Sequence, residues 1–122
     1  MNNQIINFNL EQADATLVVY QGRSLLIDCG SPLTQPQLAA QRIPHRLKQL
    51  TGGSHIDYVV LTHYHQDHIG RPAQRGNRRQ AAGLFSLLAQ KNITVGAILD
   101  RGDWTLAPPT APHRAYQRYI RK

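Results

Sequence analysis

The segment 63–68, which reads His-Tyr-His-Gln-Asp-His, limits what this chain can fold into more than any other segment does. It contains three of the six histidines and one carboxylate, and it directly follows the apolar run 58–61. Imidazole nitrogens and carboxylate oxygens are the ligands that zinc and similar divalent ions prefer. A solvated polar loop does not need three imidazoles, so the sequence predicts a metal site at the end of a strand.

The spacing within this segment divides the predicted ligands into two pairs. Residues two apart in an extended segment point the same way, so His63 and His65 are expected to hold one ion. Asp67 and His68 follow where the chain turns, and we expect them to hold a second ion beside the first. Two ions about 3.5–4 Å apart activate the water between them. Asp67 is also the predicted catalytic residue, because its carboxylate can accept a hydrogen bond from that water.

The motif His63-x-His65-x-Asp67-His68, followed by Gly70, resembles the signature of the metallo-β-lactamase superfamily. Residues 25–30 resemble the superfamily's strand ending in Asp-x-Gly. Residues 56–62 resemble the strand that precedes its metal-binding loop, and residues 63–70 are called the metal loop below. Residues 12–17 and 95–102 resemble one branch, the hydrolase domain of the DNA-uptake competence protein. The resemblance implies an α/β fold: the first half of an αββα sandwich, with a mixed sheet and helices on its outer face.

The same resemblance implies metal ligands downstream of His68, namely a third histidine for the first ion, a bridging aspartate and a further histidine. The only histidine after His68 is His113, which lies in a proline-rich segment unlike those ligand segments. We therefore expect residues 1–122 to form one truncated domain. Residues 1–102 carry the resemblance, and residues 103–122 form a proline-rich, basic tail. A missing carboxy-terminal half or an oligomer would complete the domain.

The charge balance favours anionic partners. The chain has 14 Lys and Arg against 7 Asp and Glu, a formal net charge of +7, which attracts nucleic acid and phosphoesters. Four arginines closely follow the metal motif and are candidates for holding phosphate oxygens: Arg71, Arg75, Arg78 and Arg79. The alternative for these arginines is a solvated loop. Arg71 replaces a second glycine that is common in the superfamily.

Two aspartates outside the motif are candidates for orienting the metal ligands. By the resemblance, Asp28 lies at a strand tip beside the metal loop, where it would aim a ligand histidine. A plain turn with Gly30 is an equally open role for Asp28. Asp100 ends a later strand and is a weaker candidate. Asp14 either caps a turn, the structural role that we favour, or faces the site. The lone Cys29 is expected to be a packed thiol in a reducing, cytoplasmic compartment.

Hydrophobic patterning predicts alternating strands and helices. Strands are expected at 5–10, 16–20, 24–28, 57–62 and 94–99, with a hairpin at 21–23. Helices are expected at 35–50, interrupted or restarted at Pro44, and at 79–91, with a loop at 70–77. The sequence has no run of roughly 18 apolar residues that would span a membrane, and the start has no secretory signal pattern.

These observations predict a metal-dependent hydrolase that uses a metal-activated water, with zinc, or alternatively manganese, as the cofactor. Phosphodiesters such as single-stranded DNA rank first as substrates, followed by lactams, thioesters and other esters. Two alternatives from other classes stay open. The chain is then either a non-catalytic metal-binding fragment or a basic nucleic-acid-binding module, whose binding would persist in chelator and weaken with salt.

Overall fold

A computed structural model describes residues 3–11, 13–32, 35–63, 66–71 and 81–100, with the backbone alone at 66 and 67. Several predicted features lie outside these residues: His65, the side chain of Asp67, the arginines Arg75, Arg78 and Arg79, and the tail 103–122.

The described elements follow the order β1 Gln4–Asn7, β2 Thr16–Tyr20, β3 Arg23–Ile27, α1 Leu38–Thr51, β4 His55–Val60, α2 Gln66–Ile69, β5 Gly70–Arg71, β6 Ala82–Gly83, α3 Leu84–Leu88 and β7 Thr94–Leu99. Five strands form one sheet in the order β1-β2-β3-β4-β7. The pairs β1–β2 and β2–β3 are antiparallel, whereas β3–β4 and β4–β7 are parallel. The predicted mixed α/β fold is confirmed. Across the described ranges, every helix falls short of the length and apolar content needed to cross a bilayer.

The antiparallel part of the sheet turns at the predicted hairpin. The last β2–β3 pair is Tyr20 with Arg23, which leaves a two-residue loop of Gln21 and Gly22. Both loop residues have positive φ, 50° and 80°. Such a loop matches the right-handed twist of the strands that it joins.

The hydrophobic core lies between the sheet and the two helices α1 and α3. Alternate strand residues such as Leu17, Val19 and Leu26 are buried on this face, as the period of two requires. The helices contribute buried residues at helical spacing, including Ile43 and Leu47 from α1. Cys29 is fully buried, and burial, with a smaller effect of the Asp28 carboxylate, raises the pKa of its thiol far above the usual range. The expected packed thiol is confirmed.

The opposite face of the sheet is apolar and largely uncovered within the described residues. One row of paired residues crosses this face: Ile5, Val18, Leu25, Tyr58 and Ala97. Ile5 is 72% exposed and Tyr58 is 41% exposed.

The predicted break of α1 at Pro44 is wrong, because the helix runs without interruption from Leu38 to Thr51. A proline inside a helix leaves the carbonyl four residues earlier without its usual N–H donor. That carbonyl belongs to Ala40, and the Nε2 of Gln90 donates to it at 2.6 Å. A side chain from beyond α3 therefore replaces the missing helical hydrogen bond.

Several predicted boundaries also shift. The helix predicted at 79–91 is reduced to α3, because Ala82–Gly83 pairs with Gly70–Arg71 as a short antiparallel ladder. The loop predicted from residue 70 accordingly begins with strand β5. The strand predicted at 57–62 is His55–Val60, and β1 ends at Asn7.

The Ala40–Gln90 hydrogen bond gives a double-mutant cycle. We expect Gln90→Ala to lower the free energy of unfolding by about 1–3 kcal/mol, because it removes the partner of a shielded carbonyl. In a Pro44→Ala background the cost should be much smaller, since an alanine N–H can serve Ala40 itself. Urea denaturation of the unaltered chain, the two single variants and the double variant measures both costs. Gln41→Ala, which changes an exposed glutamine of α1, is the control. Equal costs in both backgrounds would contradict this role of Gln90.

Candidate metal centre

The candidate site lies where the parallel strands β3, β4 and β7 end. The carboxyl ends of parallel strands meet at the same edge of a sheet. Backbone pairing continues past each strand, with Asp28 N–H donating to Val60 O at 2.8 Å and Leu61 N–H donating to Leu99 O at 2.9 Å. This pairing brings the residues that follow β3 and β4 next to each other. The exposed Asp100 follows β7 at the same edge.

The carboxylate of Asp28 joins three segments at this edge. Its Oδ1 accepts the backbone N–H of Thr62 at 2.8 Å, and its Oδ2 accepts the Thr62 hydroxyl at 2.6 Å. The same Oδ2 lies 3.0 Å from Nδ1 of His68. Asp28 is 4% exposed and has a φ of 61°, a left-handed conformation that aspartate tolerates better than most residues. The chain therefore leaves the β3 strand at Asp28, the residue that makes these hydrogen bonds.

Hydrogen-bond chemistry assigns the tautomers of two motif histidines. A carboxylate only accepts hydrogen bonds, so Nδ1 of His68 carries the proton that faces Asp28. The Thr62 hydroxyl donates its one proton in the hydrogen bond to Asp28. Its oxygen therefore accepts a hydrogen bond from Nδ1 of His63, 3.1 Å away. In both rings Nε2 then keeps its lone pair, which is the form in which neutral imidazole binds a metal.

The structure brings His63 and His68 together. Their ring centroids are 4.7 Å apart, with an angle of 32° between the ring planes. His63 is exposed, and the side chain of His68 is 17% exposed. Imidazole Nε2 atoms with a lone pair are donors of the kind that a zinc-type ion takes. Within the described residues, however, no three His, Cys, Asp or Glu side chains form a group that could hold a metal ion. His65 and the Asp67 side chain, the other predicted ligands, lie outside that part.

Two further residues contribute to the site: Asp14, for which facing the site was the less favoured alternative, and Thr62, for which no role in the site was predicted. Asp14 Oδ2 lies 3.6 Å from the same Nδ1, although its side chain is 63% exposed. The backbone holds Asp14 there, because Gly30 N–H donates to its carbonyl at 2.9 Å. Thr62 was assigned only as a strand end. Its position directly before the first motif histidine was the one sequence signal available.

The backbone around Cys29 fixes the position of the metal loop. Cys29 N–H donates to His68 O at 2.6 Å, and Leu84 N–H donates to Cys29 O at 2.7 Å. Gly70 and Gly83 face each other at this point with φ of 76° and 62°. A Cβ on Gly83 would collide with the carbonyl oxygen of Cys29 and with Cα of Gly70. Both glycines thus allow the loop to approach the turn after β3 closely.

The predicted phosphate-holding arginines are described only in part. Arg71 lies in β5, half-buried, three residues after His68. Its position beside the metal loop is therefore fixed by the pairing of β5 with β6.

Comparison with known proteins places this edge of the sheet in a known family. The Metallo-beta-lactamase superfamily matches residues 9–71, a stretch that includes Asp14, Asp28, His63 and His68. Ribonuclease Z of Clostridium beijerinckii is 38% identical over 63 residues, which cover 51% of this chain and 18% of that protein. Beta-lactamase-like protein 2 homolog of Caenorhabditis elegans is 32% identical over 65 residues, which cover 52% of this chain and 20% of that protein.

The chain therefore spans about a fifth of the length of the curated relatives that it matches. No solved structure matches the chain significantly. The superfamily match covers more than half of the chain and contains the strand ends, the Asp28 contact and the metal motif described above. This chain belongs to the metallo-β-lactamase superfamily.

Proposed function

We propose that this protein is a metal-dependent hydrolase that acts on phosphodiester bonds, with nucleic acid as the substrate class. The observation that supports the proposal is the contact of Asp28 with His68 and Thr62, because it occupies Nδ1 of His68 directly and Nδ1 of His63 through Thr62, and so assigns metal binding to Nε2 of each ring. Imidazoles held in this way are prepared for metal binding before a metal arrives.

The proposed ligands are His63 and His65 for one ion, and Asp67 and His68 for a second. Zinc suits this donor set, and manganese is the alternative. A bound divalent metal lowers the pKa of its water to about 7 and so supplies a nucleophile at neutral pH. Asp67 would accept a hydrogen bond from that water and orient it. Asp28 acts through His68, so it is a positioning residue, and Asp100 is a second, weaker candidate for that role.

The substrate class rests on charge and on similarity. The net charge of +7 favours an anionic substrate, and the arginines Arg71, Arg75, Arg78 and Arg79 would hold phosphate oxygens through their planar donor forks. The similarity to ribonuclease Z supports a nucleic-acid substrate. The resemblance of residues 12–17 to the DNA-uptake competence protein supports the same class. A cytoplasmic location belongs to the proposal, since a lone buried cysteine suits a reducing compartment.

A non-catalytic metal-binding fragment is the second candidate. It would use the same histidines, since two imidazoles whose ring centroids lie 4.7 Å apart can bind an ion without hydrolysing a substrate. Hydrolysis of lactams, thioesters or other esters would use the same residues on a different electrophile.

Removal of either described histidine tests metal binding and turnover together. We expect His63→Ala and His68→Ala each to weaken zinc binding by at least about 100-fold, which exceeds the usual cost of losing an orienting partner. Both should abolish cleavage of bis(p-nitrophenyl) phosphate and single-stranded DNA. Competition with a chromophoric chelator measures zinc binding, and for this measurement His45→Ala is the matched control because His45 is exposed on α1.

Unchanged zinc affinity in both variants would contradict the metal site. Zinc binding by the unaltered chain without cleavage of either substrate would contradict the hydrolase and favour the non-catalytic fragment. Cleavage that survives both substitutions would also contradict the proposal, because the activity would then come from another source.

The positioning role of Asp28 has its own test. Asp28→Asn should weaken zinc binding by about 10- to 100-fold, because an amide no longer enforces the tautomer of His68. Asp57→Asn is the matched control. Asp57 also accepts a backbone N–H, that of Ser24 at 2.8 Å, but at the opposite end of β4. Thermal unfolding separates the effects: both variants should lose stability, and only Asp28→Asn should lose zinc affinity. Equal zinc affinity in the two variants would exclude the positioning role.

A further inference from the structure

Helix α1 carries positive charge without any acidic residue. Its 14 residues include Arg42, Arg46 and Lys48, and no aspartate or glutamate. Five of its side chains are exposed: Gln41, Arg42, His45, Lys48 and Gln49. Arg42 and Arg46 are four residues apart, a spacing at which like charges repel each other on a helix. The outer face of α1 is therefore both cationic and self-repelling.

The cations of α1 have no carboxylate partner among the described residues. Arg42 donates to the backbone oxygen of Asn9, and Arg46 donates to the side-chain oxygens of Gln49 and Gln4. The ion pairs found in the described part all involve His55 or His68 instead. A solvated helix face usually carries charges of both signs, paired at i,i+4. The α1 face does not have this pattern, so its charge stays available to a partner.

The acidic residues of the described part lie elsewhere. Asp14, Asp28 and Asp100 are near the carboxyl edge of the parallel strands, Asp57 lies in β4, and Glu11 lies in the loop after β1. The negative groups thus concentrate at the candidate metal centre, and the helix carries the opposite sign.

We propose that the outer face of α1 is a docking surface for the phosphate backbone of nucleic acid. The charge of the face complements a polyanion, arginine forks match phosphate oxygens, and the exposed glutamines add donors of the kind that contact phosphate and sugar. Contacts to phosphate and sugar carry no sequence information, and the exposed positions include no Phe, Tyr or Trp, so we expect binding to be independent of base sequence.

An anionic membrane is a poorer match for this face. A helix that lies on a bilayer buries apolar residues beside its basic ones. The exposed positions of α1 are polar or charged throughout, and its apolar residues Ile43 and Leu47 are fully buried against the sheet.

The position of α1 connects the docking surface to the candidate metal centre. The residues directly before α1 lie beside β6, where the Nε2 of Gln37 donates to Ala81 O at 2.6 Å and Gly83 N–H donates to Pro36 O at 3.4 Å. Gly83 in turn pairs with Gly70 of the metal loop. A helix of this length extends about 21 Å. Because its beginning lies near the metal loop, a nucleic acid bound along α1 would extend toward the candidate metal centre. Docking itself needs no metal and goes beyond the proposed hydrolysis.

The test measures binding of the full chain to a short fluorescein-labelled DNA duplex in excess chelator, by fluorescence anisotropy over a series of salt concentrations. Arg42→Gln and Lys48→Gln should each weaken binding and reduce the slope of log K against log salt by about 0.9 per lost contact. Gln49→Glu should also weaken binding. Its new carboxylate neutralises Arg46 in place and strengthens an existing contact, so the fold is kept.

Arg23→Gln is the matched control. It removes the same charge, but Arg23 is exposed at the β2–β3 hairpin and pairs with Tyr20 on the sheet face opposite α1. We expect the affinity and salt slope of this variant to equal those of the unaltered chain.

Three results would overturn the proposal. The first is an equal loss of affinity in all four variants, which would mean a response to net charge alone. The second is no measurable binding to the duplex at low salt. The third is binding to vesicles containing phosphatidylserine but not to the duplex, which would assign α1 to a membrane surface.

Discussion

The site depends on one buried carboxylate with three hydrogen-bond donors around it. Asp28 receives the N–H and the hydroxyl of Thr62 and the ring N–H of His68. A buried charge that loses such partners is costly, so the arrangement persists only while the segments after β3 and β4 keep their places. The parallel register of these strands, from Leu25 with Tyr58 to Ile27 with Val60, provides that constraint. The sheet thereby determines which imidazole nitrogens carry the proton.

The candidate metal ligands and the exposed cations lie in different parts of the fold. The parallel strand ends carry the candidate metal ligands, and the close approach of Gly70 and Gly83 holds the metal loop against the turn at Cys29. Helix α1 covers the core with its apolar stripe and presents cations on its outer side. Membership of the metallo-β-lactamase superfamily agrees with this arrangement, because the matched stretch contains β2, β3, β4 and the motif that follows β4.

Local patterns predicted the elements whose causes are local. The strands Thr16–Tyr20 and Thr94–Leu99 and the hairpin between β2 and β3 follow from alternation and from a glycine turn. The continuous α1 was missed because its support, Gln90, lies 50 residues from Ala40 in sequence. The motif indicated His63 and His68 through their chemistry alone, and the structure places these rings in contact. The link through Thr62 needed the pairing of β3 with β4, which no single segment reveals.

The assignment of the imidazole tautomers tests the central claim most directly. Nitrogen-15 NMR of the metal-free chain, at mildly alkaline pH where imidazoles are neutral, distinguishes the protonated ring nitrogen from the bare one. Our account predicts that His63 and His68 both hold the proton on Nδ1, while the exposed His45 exchanges between tautomers. A His68 ring protonated on Nε2, or one that exchanges freely like His45, would contradict the role of Asp28 on which the site rests.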